Sequence, residues 1–147
     1  MKNLFTLLLV SLFSISIYAQ KTAAKIEFKE DTVDYGKIEN GSNGVRTFTF
    51  TNTGTAPLII TNVKSSCGCT VPKKPTAPIA PGKKGEIEVK YDTKRTGFIR
   101  KTITVTSNAT NVKNGVSYLK IKGEIKKVDT SSILEKKEKK PTSIMNQ

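Results

Sequence analysis

Between Val45 and Asn52 the chain repeats with a period of two that no helix can satisfy. Phe48 and Phe50 fall on one face and Thr47, Thr49 and Thr51 on the other, the pattern of a strand with one buried side. The β-branched threonines suit the solvated face of a pleated sheet. The same period returns downstream. Ile87, Val89 and Tyr91 alternate with Glu86, Glu88 and Lys90, and Ile99, Lys101, Ile103 and Val105 hold the odd positions from Phe98 to Ser107. Leu119, Ile121 and Ile125 stay in phase through the last strand, with Gly123 interrupting. No segment of the body carries a helical apolar face.

Turn chemistry separates these segments: Gly and Asn over residues 40–44, Pro57 closing residues 52–57, and polar stretches over residues 93–97 and 108–115, all compositions that accept tight-turn geometry. Three further stretches complete the reading. Ile26 to Phe28 and Val33 to Tyr35 read as one short edge strand broken by a turn at residues 29–31. Leu58 to Val63 opens with three consecutive apolar residues, which predicts burial on both sides there. Residues 71–85 hold Pro72, Pro75, Pro78 and Pro81, and proline at that density removes ladder donors, so an extended surface connection is expected and no central strand. About seven strands at regular spacing predict an all-β sandwich of two antiparallel sheets. There is no Trp, and two cysteines one residue apart cannot pin opposite sheets, so Phe, Ile, Val and Leu must form the core unaided.

The body occupies residues 20–125. Residues 1–19 read as a signal peptide: Lys2 gives a positive start, an apolar run follows, and Ala19 is a small residue at the cleavage point. No transmembrane segment is expected once it is removed. Residues 126–147 read as a Lys-rich, disordered tail, with a short helix over residues 132–139 capped by Ser132 and Glu135 as its one candidate element. The whole chain has 25 Lys and Arg against 12 Asp and Glu, a net charge of +13. The body alone holds 18 against 9, an excess of nine positive charges. Such an excess attracts anions. For an exported protein those are envelope polysaccharides or lipid head groups, with nucleic acid disfavoured.

Several chemistries are excluded by inventory. The chain has no His, which removes the usual general base, the usual zinc nitrogen and every Ser-His or Cys-His pair. It has no glycine-rich phosphate loop and no paired-carboxylate motif, and no cofactor is implied. Asp31, Asp34 and Asp92 read as turn and strand-end residues. Enzymatic work would fall to the thiols.

Both cysteines lie in one stretch, Ser65-Ser66-Cys67-Gly68-Cys69-Thr70, and three roles are open to them. A disulfide across one residue closes a small ring that Gly68 helps to bend, and its ready reduction would suit thiol exchange. Two thiolates could instead hold Cu(I), which tolerates few ligands, whereas zinc lacks the rest of its set. The third role is structural: a buried pair of small side chains, or a disulfide that stiffens a loop.

Phe48-Thr49-Phe50-Thr51-Asn52-Thr53-Gly54, Ala56-Pro57-Leu58-Ile59-Ile60, Ser66-Cys67-Gly68-Cys69-Thr70, Pro81-Gly82, Gly97 and Ser107-Asn108 together resemble DUF1573, a family of exported bacterial domains of unknown function. The resemblance covers residues 26–125 and is most specific at the cysteine string. It implies an immunoglobulin-like sandwich of the major sperm protein and PapD chaperone type, located in the envelope or secreted by Gram-negative bacteria, and it assigns no activity. A non-enzymatic binding or scaffold module of the cell envelope is therefore expected, touching an envelope protein or an anionic surface polymer through strand edges or loops. The alternative is a thiol redox or Cu(I)-handling protein acting through Cys67 and Cys69, with Ser66, Gly68 and Thr70 as the loop around them.

Overall fold

A computed structural model describes residues 22–127. The signal peptide expected over residues 1–19, and the tail beyond residue 127 with its candidate helix, lie outside the described residues. Eight strands form: β1 (Ile26–Phe28), β2 (Thr32–Glu39), β3 (Val45–Asn52), β4 (Ile60–Ser65), β5 (Thr70–Lys73), β6 (Lys84–Tyr91), β7 (Gly97–Ser107) and β8 (Val116–Lys126). They make two four-stranded sheets, ordered β1-β3-β6-β5 and β2-β8-β7-β4. The sandwich is immunoglobulin-like as expected, with eight strands in place of about seven. Lys126, expected as the first tail residue, closes β8.

The extra strand comes from the first segment. It does lie at an edge, but its break is a change of sheet. β1 pairs antiparallel with β3, and the chain then crosses over so that β2 runs parallel to β8, Val33 opposite Ile121 and Ile38 opposite Ile125. The expectation of purely antiparallel pairing fails at this one ladder. The register shifts between Asp34 and Lys37, beside Gly123, whose φ is +153°. A Cβ there would lie 2.8 Å from the Tyr35 Cβ and 2.9 Å from the Gly36 carbonyl oxygen. The glycine that interrupts the last strand is what lets β2 close on β8.

The core follows the alternation. Phe48, Phe50, Ile87, Val89, Ile99, Ile103 and Val105 are completely buried, and Leu119, Ile121 and Ile125 almost so; each contributes about 1.5–3 kcal/mol by leaving water. Two sequence expectations are corrected. Leu58 and Ile60 are buried, but Ile59 between them is 43% exposed, because the segment approaches β4 at a sheet edge with one wet face. The proline-rich stretch holds no central strand, as expected, but it is not connection throughout, since it includes most of β5, a four-residue edge strand paired only with β6. Pro72 is tolerated there because the outer side of an edge strand needs no amide.

One end of the sandwich is held by asparagine side chains. Asn52 is fully buried. Its Nδ2 donates to the carbonyls of Ala56 and Ile79, both at 2.8 Å, and its Oδ1 accepts from the amides of Gly54 at 3.0 Å and Lys25 at 3.5 Å. Asn111 accepts from the Ile26 amide at 3.0 Å and donates to the Ile26 carbonyl at 2.9 Å. Asn108 accepts from the Ile59 amide at 2.8 Å and donates to the Pro57 carbonyl at 3.0 Å. Each amide acts as a short piece of ladder, satisfying backbone groups that the loops leave unpaired.

Candidate functional site

The opposite end gathers residues 40–44, the turn after β6, and the cysteine loop. β4 leaves the edge of one sheet and β5 enters the edge of the other, so the cysteine loop is the crossing between them. The Ser66 amide donates to the Thr102 carbonyl at 2.9 Å, and the Thr102 amide returns a bond to Ser66 Oγ at 3.2 Å. The Asp92 amide donates to the Cys69 carbonyl at 2.9 Å, and the Thr70 amide to the Cys67 carbonyl at 3.3 Å. The loop is thus tied to β7 on one side and to the end of β6 on the other.

Cys67 and Cys69 form a disulfide, their Cα atoms 5.4 Å apart, inside the range such a bond accepts. Both are half-buried, and Gly68 between them is exposed. A Cβ on Gly68 would meet nothing within 4 Å, and its φ lies outside the left-handed region. The bend expected to require glycine is therefore one that other residues could make; what Gly68 does is leave the outer side of the disulfide uncovered. The buried Thr70 hydroxyl lies 3.7 Å from Cys67 Sγ and 3.9 Å from Cys69 Sγ. Of the loop residues singled out in the sequence, Cys67, Cys69 and Thr70 converge, Gly68 is the tip, and Ser66 serves the backbone of β7.

Beside the disulfide runs a groove of about 660 Å³, lined by Gly68, Cys69 and Val71, by Ser42 and Asn43 before β3, and by residues 90–94 at the end of β6 and in the turn after it. Its walls are braced from within. Gly44 accepts at its carbonyl from the Tyr91 amide at 2.9 Å and from the Tyr35 hydroxyl at 2.8 Å. Thr93 Oγ1 donates to the Ser42 carbonyl at 2.7 Å, and the Gly41 amide to the Thr93 carbonyl at 3.1 Å. Burial raises the Tyr35 phenol above its ordinary pKa, opposed by the Arg46 guanidinium, which lies 4.4 Å from the ring centroid. The hydroxyl therefore stays a donor at neutral pH.

Asp31 and Asp92 lie in a turn and just past a strand end as expected, whereas Asp34, read the same way, lies inside β2 beside its register shift. Asp31 accepts from the Thr32 hydroxyl at 2.9 Å and Asp92 from the Lys94 amide at 3.1 Å. Asp34 accepts from the Gly36 amide at 2.7 Å and pairs with Lys122 at 3.3 Å, and these partners, the amide foremost, hold its carboxyl below the ordinary value. Among the described residues no group of three or more His, Cys, Asp or Glu is gathered as a metal would need, and no helix is long and apolar enough to cross a membrane. Ser42, Asn43 and Val71 were not singled out in the sequence as site residues; turn composition marks the first two as loop without showing that the loop faces the disulfide.

Residues 26–125 match the family model described as "Protein of unknown function (DUF1573)". No curated protein matches the chain. Its fold is similar to that of a protein of unknown function from Porphyromonas gingivalis W83, at TM-score 0.62 and 18% identity over 74% of this chain and 51% of that one, so the chain spans about half the length of that neighbour. It is also similar to the ASH/PapD-like domain 7 of human CEP192, at TM-score 0.59 and 10% identity over 79% of this chain and 98% of that one. A third neighbour is the CsuC–CsuE chaperone–tip adhesion subunit pre-assembly complex of Acinetobacter baumannii, at TM-score 0.51 and 14% identity over 84% and 73%. At these identities the likeness concerns fold alone.

Proposed function

The chain belongs to the DUF1573 family of proteins of unknown function, and from that premise we propose that it is a non-enzymatic binding or scaffold module of the bacterial cell envelope. It is exported by removal of residues 1–19 and engages an envelope protein at the disulfide-braced groove. The observation that carries this reading is the convergence of three loops whose conformation is fixed by buried hydrogen bonds and the Cys67–Cys69 bond. A surface ordered before it meets a partner does not spend binding energy on ordering. Loops are favoured over strand edges as the contact, because β1 has three residues, β5 has four with Pro72 among them, and the longer edges β2 and β4 carry register shifts between Asp34 and Lys37 and between Ile60 and Asn62. The A. baumannii neighbour, a chaperone solved with an adhesion subunit, supports protein as the partner class.

The test is capture of envelope proteins by the immobilised chain with and without Val71→Arg, which puts a long cation on a groove wall that is 64% exposed. A bound protein should be lost by about tenfold or more if the groove is the contact. Undiminished capture by the variant would end this reading.

A second reading, thiol redox chemistry, is favoured by one observation: the disulfide lies half-buried at the groove wall with its tip uncovered. A dithiol donor would pass two electrons and two protons to the Cys67–Cys69 bond, leaving two thiols here and a disulfide on the donor. The two reduced thiols would then also be the pair available to Cu(I). Thiol titration of native protein after incubation with a dithiol at neutral pH separates the readings: two titrating thiols support exchange, and none excludes it.

A further inference from the structure

The outer face of the second sheet carries an arrangement that folding does not call for. β7 and β8 are its two central strands, and Ile99, Ile103, Leu119, Ile121 and Ile125 fill inward positions, with half-buried Lys101 the one departure, so the outward set includes Phe98, Arg100 and Thr102 on β7, and Tyr118, Lys120, Lys122 and Glu124 on β8. Phe98 is 73% and Tyr118 63% exposed, so neither ring repays its size by burial here. Arg100 stands directly opposite Lys122, and Thr102 opposite Lys120. Like charges across a ladder destabilise it, so this row of three cations costs the sheet something. The relief is partial: Asp34 pairs with Lys122 from β2, and the Arg100 guanidinium carbon lies 5.8 Å from the Phe98 ring centroid. Tyr118 is opposite Thr104, six residues from Phe98, which puts the two rings about 20 Å apart along the strands. Two shallow troughs on this face, of about 330 and 350 Å³, lie on either side of Arg100 and Lys122, which line both.

We propose that this face is a lane for a linear acidic polysaccharide, lying along β7 and β8 with sugar rings against Phe98 and Tyr118 and its carboxylates on Arg100, Lys120 and Lys122. The chemistry matches at three points. The apolar face of a sugar ring packs on an exposed aromatic ring. A guanidinium takes a carboxylate through two parallel bonds. The Thr32 and Thr102 hydroxyls between the cations suit a hydroxyl-rich ligand. A nucleic acid strand presents a phosphate at every residue and is met by a denser cationic groove with bases stacked in succession, whereas here Asp34 and Glu124 dilute the lane. A membrane surface calls for a contiguous apolar face, whereas these two rings are separated by charge. This lane shares no residue with the disulfide groove, so either can fail alone.

The test is affinity electrophoresis of the full chain through gels containing polygalacturonate, with neutral dextran, single-stranded oligothymidylate and phosphatidylglycerol vesicles as parallel arms. Retardation by polygalacturonate and not by dextran is expected. Arg100→Gln with Lys122→Gln should weaken it about tenfold and Phe98→Ala about fivefold, while Lys73→Gln with Lys84→Gln, an equal loss of charge on the other sheet, should change it less than about twofold. Protein without substitutions gives an independent readout: bound polygalacturonate should shield Lys120 and Lys122 from acetylation more than Lys73 and Lys84. Absence of retardation, equal weakening by the two charge-loss pairs, uniform acetylation, or tighter binding to the oligonucleotide or the vesicles would overturn the proposal.

Discussion

The two ends of the sandwich are built on different principles. At one end Asn52, Asn108 and Asn111 spend their whole side chains on backbone groups; at the other, main-chain bonds, a disulfide and the hydroxyls of buried Tyr35 and Thr93 do the holding, and Asn43, Lys94 and Gly68 remain exposed, with Asn43 Oδ1 accepting from the Val45 amide at 2.9 Å. An amide buried among four backbone partners has no capacity left for a ligand. A loop braced by its own backbone and by buried hydroxyls beneath it keeps its exposed side chains available. The difference teaches where to look for function in this domain: at the end where stability has been arranged with few of the exposed side chains.

That contrast can be broken most directly at Asn52. Asn52→Ala leaves the Ala56 carbonyl and the Gly54 and Lys25 amides without their partner, while the Ile79 carbonyl keeps the Leu58 amide, and a loss of about 3 kcal/mol in denaturant unfolding is expected. Converting both Cys67 and Cys69 to Ser should cost less, about 1–2 kcal/mol, since the bond closes only a very short loop in the unfolded chain. The reverse ranking would mean that the disulfide end is the structural anchor and the groove reading is misplaced. The smallest effect is expected between the ends, at Asp34. Its lowered pKa means that its contribution is present above the ordinary carboxylate value and is lost as the pH falls through the folded value. Asp34→Asn should therefore leave Tm at pH 7 nearly unchanged and flatten its fall below about pH 4; an unchanged acid profile would remove Asp34 from the account.

Most of the fold was legible because four strands, β3, β6, β7 and β8, alternate without ambiguity. Where the signal was weak, the cause is physical. Three apolar residues in a row, Leu58 to Ile60, hide their phase, so the exposure of Ile59 could not be read. Period-two alternation is the same in parallel and antiparallel ladders, so the pairing of β2 with β8 waited on the close approach at Gly123. Asn52 sits before Thr53 and Gly54 and reads as turn chemistry, although it is the most heavily bonded polar side chain at its end. At the site, spacing alone could not decide whether Cys67 and Cys69 are bonded. By contrast, Phe98 and Tyr118 are out of step with Ile99 and Leu119, so their exposure was already implied by the periodicity.

The shift of β1 into β2 has a further consequence for how copies of the chain meet one another. One segment supplies the edge of each layer on this flank, β1 with only three residues and β2 broken by its register shift between Asp34 and Lys37, and at the far flank a proline and a register shift interrupt the backbone that a neighbour would have to match. Long side-by-side zippering between copies is blocked on every border. A chain rich in β-structure can thus be held at high local concentration without seeding fibres.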